Sequence, residues 1–405
     1  MSSDPRRWLA LFTNYLMFLS SGFLFFLLPP LIPELKASFQ LNDLAIGWLQ
    51  GMYAIPAVLF ALVGGAALDR WDTRRTGVVS ALLILSGSLL FNFGIHYALM
   101  MAGRFILGVG CILINLVAGK MITLWFRDRQ RGLAMSILHT AWPIAAIVAF
   151  SSFFALGQWL GWQGTTLVLN AFVALTVLGF ILLAPRDPEA GDQPQPAATP
   201  LPTANSNGIL ARISRRLASF PKDLWLMAFV WFCFTVSTAS LFTFGSAFLN
   251  ARGLDYGAAS FTIGLIMWTA TPGSLLAGWL IDRFGRIRSY IILPALVVAL
   301  CLFGLLTRFP PAPLILVAGI LAGFLPVAVY AIPGQVVQPA RLGVAFGVIL
   351  TFSNLGNVVG PVAVGWLNTA LGTREPGMLL IAGAFAVCVV WGLLLGRHSL
   401  VREKG

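Results

Sequence analysis

The chain has 405 residues, of which 58% are hydrophobic and only 10% charged, with a mean hydropathy of +0.87. That balance excludes a soluble globular protein of this length, and apolar runs of about 20 residues or more predict transmembrane helices. The formal charge of +12 does not point to nucleic acid, because the basic residues gather at predicted span ends, where they set topology.

In chain order, six spans are expected at 8–32, 44–68, 76–97, 99–126, 132–157 and 163–184. Six more are expected at 223–250, 256–281, 288–307, 312–338, 342–370 and 376–396. They are called spans 1 to 12. The segment Met1–Arg7 is short and polar, and the run from Trp8 to Ile32 is too long for a signal h-region, so no cleavable leader is expected. The expected class is an all-α membrane protein of two six-helix bundles, 1–184 and 223–405, the second ending in a short tail. Residues 185–222 between them form a linker that begins Pro-Arg-Asp-Pro and continues rich in Pro and Gln, which predicts disorder over part of its length. Its basic end, with Arg212, Arg215, Arg216 and Lys222, suits a short helix lying on the membrane surface. Of the 26 basic residues, 20 fall at the termini, in the linker and in the loops after even-numbered spans, so both termini are expected in the cytoplasm. A bacterial-type inner membrane is the expected setting. Cys111, Cys233, Cys301 and Cys388 all lie inside apolar runs and read as small buried thiols rather than disulfides or metal ligands.

One short loop recurs. Gly65-Ala-Ala-Leu-Asp69-Arg70-Trp-Asp72-Thr73-Arg74-Arg75 follows span 2, and Gly278-Trp-Leu-Ile-Asp282-Arg283-Phe-Gly285-Arg286-Ile-Arg288 follows span 8, 213 residues later. Each Asp ends an apolar helix at its negative dipole end and needs a positive partner, so a partner that comes and goes would make the loop a latch. The plainer alternative is that the Arg residues only fix topology. Both copies resemble the loops between helices 2 and 3 and between helices 8 and 9 of the major facilitator superfamily. The resemblance implies a latch of Gly65, Asp69, Arg70 and Arg74 in one half and Gly278, Asp282, Arg283, Gly285 and Arg286 in the other. Asp72 and Thr73 stand where the family has Gly and Arg. Further stretches are similar to family motifs: Arg104-x-x-x-Gly108-x-Gly110 on span 4, and Trp125 to Gly132 between spans 4 and 5. Gly347, Gly356, Gly360-Pro361 and Gly365 follow the spacing of the family's antiporter motif, but on span 11 rather than span 5, and are read as close helix packing. The family resemblance implies a rocking of two halves about a midplane site.

The inventory of charge is the most informative chemistry. All fourteen carboxylates lie in loops, tails or at helix ends, so none is expected near the midplane, where an exporter of cations would hold one. Two cations, Arg104 and Lys120, lie on span 4. Each either meets an anionic solute or snorkels to an interface. The two differ by roughly 160° around the helix, and Asn115 shares the Arg104 face. His139 on span 5 lies at a depth similar to Lys120 and can titrate near neutrality, although a structural role is the alternative. The remaining candidate solute-binding groups are Asn14 and Tyr15 on span 1, Tyr330 and Gln335 on span 10, and Asn354 and Asn357 on span 11. The aromatic stripes of spans 1 and 7 read as packing.

No P-loop, metal-ligand cluster or nucleophilic triad is present, so neither enzyme activity nor a cofactor or metal is expected, and transport must run on gradients. The expected function is secondary transport of a small organic or inorganic anion by proton symport or anion exchange, with the solute, protons and the bilayer as partners, and a monomer as the working unit. The alternative is proton-coupled efflux of neutral or amphiphilic compounds such as drugs or siderophores. The Trp-Phe loop and His139-Thr-Ala-Trp142-Pro143 are similar to bacterial permeases of the cyanate and organic-anion type.

Overall fold

The computed structural model describes residues 6–60, 72–126, 130–186, 220–285, 287–332, 336–338 and 342–395. All of the regular structure among them is helical. Among the described residues, nine helical stretches are long and apolar enough to cross a membrane, and the 16-residue helix Ser289–Gly304 is a shorter apolar one at the position of span 9. The first part of span 2 is the helix Asp43–Met52, and its far end falls outside the described residues. Most of the linker lies outside them as well.

Several spans are broken, each at an identifiable residue. Span 1 is helical over Arg6–Phe26, passes through a 3-10 turn at Pro29–Leu31, and resumes over Ile32–Phe39. Proline lacks an amide hydrogen and clashes with the preceding turn, which ends the first segment and carries span 1 beyond its expected limit. Span 2 bends at Tyr53 just before Pro56. Spans 5 and 6 run as one helical stretch over Arg131–Leu183, reversing at Gly161, whose φ of 71° is open to glycine. Span 10 divides at Gly323 into Pro311–Ala322 and Phe324–Ala331.

One buried apolar cluster runs through both halves and a smaller one joins spans 1, 4 and 5, and the halves meet at the end remote from the termini. There span 2 lies directly on span 11 (Leu342–Leu371): a Cβ on Gly47 would fall 2.3 Å from the Pro361 carbonyl oxygen, and one on Gly365 would fall 2.3 Å from that of Asp43. Only a missing side chain permits that approach. Asp43 is buried and forms an ion pair with Lys36 of its own half, while Asn368 Nδ2 of the other half donates to Asp43 Oδ2 at 3.1 Å. The Leu44 amide donates to Thr369 Oγ1 at 3.0 Å. Spans 5 and 8 (Tyr256–Phe284) close the other flank, with Ser260 Oγ donating to the Phe150 carbonyl at 3.1 Å. Tyr256 Oη donates to the Pro29 carbonyl at 2.9 Å, and Phe26 meets Phe242 with ring centres 5.6 Å apart.

Candidate functional site

Arg104 lies on span 4, Tyr97–Trp125, and is 1% exposed. Its Nε donates to the Leu49 carbonyl at 3.0 Å, one Nη to the Leu24 carbonyl at 2.7 Å, and the other to Gln50 Oε1 at 2.9 Å. Leu24 and Leu49 sit in the last turns of the broken helices of spans 1 and 2, where the final carbonyls have no helical partner. In a membrane interior those carbonyls must be satisfied internally, and a guanidinium fork satisfies both at once. Tyr53 and Phe91 flank the cation at 5.3 and 5.9 Å. Where the sequence offered solute contact or snorkelling for Arg104, the structure turns three of its N–H donors to oxygens of spans 1 and 2, so that it ties spans 1, 2 and 4 together. The signal was in the sequence. Pro29-Pro30 and Pro56 mark breaks that leave carbonyls open, and an embedded Arg without an acid partner is a donor set in need of them.

Toward the termini end the first half presents a polar face built by spans 1, 4 and 5. Asn14 is fully buried, and its Nδ2 donates to the Ala10 carbonyl at 2.8 Å and meets Met121 Sδ of span 4 at 2.9 Å. Its Oδ1 is buried without a hydrogen-bond partner among the described residues. Asn14 therefore joins spans 1 and 4 rather than standing in open space. Tyr15, the next residue, is half-buried, and its hydroxyl accepts from Thr140 Oγ1 of span 5 at 3.4 Å. Asn115 is exposed and donates to its own helix at the Cys111 carbonyl, 2.7 Å away. Lys120 is half-buried one turn further on. His139 is exposed, with its ring set edge-on to Phe18 of span 1 at 6.0 Å.

The second half presents a different face from spans 7, 10 and 11. Tyr330 is 40% exposed. Its ring lies 5.4 Å from Trp231 of span 7 and 6.2 Å from Phe346 of span 11. Trp231 stands 213 residues after Phe18, so the same position of each half backs the exposed ring. Asn354 and Asn357 are half-buried on span 11, and Asn354 donates to the Leu350 carbonyl at 2.8 Å. Gln335 lies outside the described residues. The structure thus brings Asn14 and Tyr15 to spans 4 and 5, and Tyr330 to spans 7 and 11, while Arg104 is turned into its own half.

The two loops are built differently. After span 8, Gly285 adopts a left-handed φ of 64° and its amide closes the helix on the Ile281 carbonyl at 2.8 Å. Asp282 is exposed, and Arg283 stacks over Trp279 and Phe284 at 5.6 and 5.8 Å. No contact between Asp282 and Arg283 is found among the described residues. Gly278 has open space where a Cβ would be. In the first half Gly65, Asp69 and Arg70 lie outside the described residues, as does Arg286 in the second. Asp72, the counterpart of Gly285, is instead the N-cap of span 3 (Thr73–Asn92): its Oδ1 accepts from the Arg75 amide at 2.7 Å. Arg74 donates to the Ile181 carbonyl at 2.7 Å near the end of span 6, and Arg288 donates to the Gly392 and Leu393 carbonyls near the end of span 12. Both cations meet a negative helix end. Arg74, read from sequence as part of a latch, caps a helix of its own half here.

Comparison with known proteins follows the same outline. A family profile described as the Major Facilitator Superfamily matches residues 15–318 and 253–404. NiaP of Bacillus subtilis (strain 168), named for niacin/nicotinamide transport, is 22% identical and the match covers 92% of each chain. The 3-(3-hydroxy-phenyl)propionate transporter of Escherichia coli (strain K12) is 24% identical over 90% of this chain and 88% of its own. Among solved structures, a bacterial homologue of the human lysosomal transporter Spinster, in an inward-facing, unoccupied conformation, superposes with a TM-score of 0.73 at 17% identity, covering 97% of this chain and 95% of that one.

Proposed function

The chain belongs to the major facilitator superfamily of transporters, and from that premise we propose that it moves a small anionic solute by alternating access, through proton symport or anion exchange. The observation that carries the reading is the charge of the face toward the termini. His139 and Asn115 stand exposed there and Lys120 is half-buried, whereas the described carboxylates Glu34, Asp43, Asp72, Asp223, Asp255, Asp282 and Glu375 all sit at helix ends or in loops. A negative group on the solute then meets cationic and donor groups rather than a carboxylate, which is the less demanding arrangement in a low-dielectric interior. With Arg104 assigned to holding its half together, the anion partners reduce to Lys120 and His139.

Both termini are cytoplasmic in this reading. The closed far end then faces outward, and the solute enters or leaves on the cytoplasmic side. Rocking opens the contacts of Asp43 with Asn368 and of Gly47 with Pro361 while each half moves as a body. The test is uptake by the purified chain in liposomes, with labelled monocarboxylates and a pH gradient of either sign. Accumulation that depends on Lys120 and His139 is expected. Wild-type uptake by Lys120→Ala and His139→Ala variants sinks the proposal. Gradient-driven movement of neutral amphiphiles with no response to carboxylates favours the efflux alternative, to which thirty-one Phe residues lend no weight, because most are available to face lipid.

A further inference from the structure

We propose that the rings of Tyr330, Trp231 and Phe346 form a subsite for a planar ring, so that the preferred solute is an aromatic monocarboxylate whose carboxylate faces the first half. The inference rests on the anion reading above and adds the other end of the molecule.

Three observations carry it. First, the rings come from three different spans, 7, 10 and 11, and converge on one exposed ring, Tyr330. A tyrosine that only filled the interior would be covered. Another ring of this half, Phe234, stacks on Trp231 at 4.7 Å on the side of the core, where it meets Phe385 at 5.7 Å. Second, the Trp231 side chain is only 6% exposed and its indole N–H lies by the Tyr330 hydroxyl, so the two rings are held in a fixed relation. Third, depths match across the two faces. Trp231 lies nine residues into its helix and His139 eight residues into its own, which places them roughly 14 and 12 Å from the helix starts at 1.5 Å per residue. Aromatic rings prefer edge-to-face or offset contacts, and Tyr330 already stands edge-on to Trp231, leaving a face of the phenol ring available. Among the described residues the first half sets the exposed imidazole of His139 at this depth. A ring therefore has its better site on one side and a carboxylate on the other.

The test compares benzoate with cyclohexanecarboxylate, equal in charge and close in size, by equilibrium binding to the full-length purified protein. Benzoate is expected to bind about tenfold tighter, the scale of one good aromatic contact. Tyr330→Leu is expected to erase that preference at an unchanged melting temperature, since the side chain is exposed, and Tyr330→Phe to keep it. Equal binding of the two acids, or a preference that survives Tyr330→Leu, overturns the ring subsite and leaves the anion reading standing. Failure of both acids to bind overturns both readings.

Discussion

The two halves share a fold and hold it together by different means. In the first, a guanidinium on span 4 reaches the open carbonyls of two broken helices. In the second, the corresponding stretch of span 10 has no charge and packs through missing side chains: a Cβ on Gly273 would fall 2.0 Å from the Ile320 carbonyl, and one on Gly323 would fall 2.3 Å from that of Ala270. Duplication fixed the path of the chain, but not the chemistry that secures it. Glycine contacts serve both halves, a Cβ on Gly108 of span 4 falling 2.2 Å from the Tyr53 carbonyl, and the first half adds a guanidinium where its helices break near residues 26 and 52.

The comparison is broken most severely at Arg104. Arg104→Leu leaves two carbonyls and the Gln50 amide oxygen buried and unpaired, and is expected to lose roughly 3–5 kcal/mol. Thermal unfolding in detergent should show a collapse of the fold rather than a selective loss of solute binding. Retained stability with lost binding would return Arg104 to the solute site. The mirror experiment in the other half, Gly273→Val, is expected to cost about 1–3 kcal/mol by overpacking. Any residual transport should fall with stability, because the packing of spans 8 and 10 is lost together.

The far-end closure sits between the halves and is a weaker target. Asp43→Ala removes the partner of Lys36 and the acceptor of Asn368 while sparing both bodies. It is expected to shift the balance toward an open far end by about 1–2 kcal/mol, roughly 5- to 30-fold in population. Spin labels at Gln40 and Thr373, both exposed, should report a longer distance. An unchanged distance distribution would mean that the remaining contacts between the halves hold the closure without Asp43.

Hydropathy and the repeated loop made the spans and their grouping legible, because burial in lipid is a long-range average over some 20 residues. The partners of single polar groups were less legible. Asn14 and Arg104 both sat in the right spans for solute contact, yet one reaches Met121 and the other Leu24, Leu49 and Gln50. Which way a side chain turns depends on where neighbouring helices break, and periodicity carries that only where proline marks it. The aromatic stripe of span 7 shows the same limit: Phe234 packs as expected, while its stacked neighbour Trp231 backs an exposed ring.

The loops give the finest version of the comparison. Asp72 and Gly285 stand 213 residues apart in equivalent places, yet the first caps the start of a helix with φ −59° and the second ends one with φ 64°. Exchanging them should be unequal. Asp72→Gly keeps a residue that is tolerated at an N-cap and is expected to cost only about a few tenths of a kcal/mol. Gly285→Asp forces a side chain into the left-handed region and is expected to cost about 1 kcal/mol, with Gly285→Val worse because a β-branched chain fits there least. Paired melting curves of the three variants measure the difference directly. Equal losses at the two positions would mean that the helix-ending turn after span 8 contributes no more than its counterpart, and that the glycine is kept for a motion this conformation does not display.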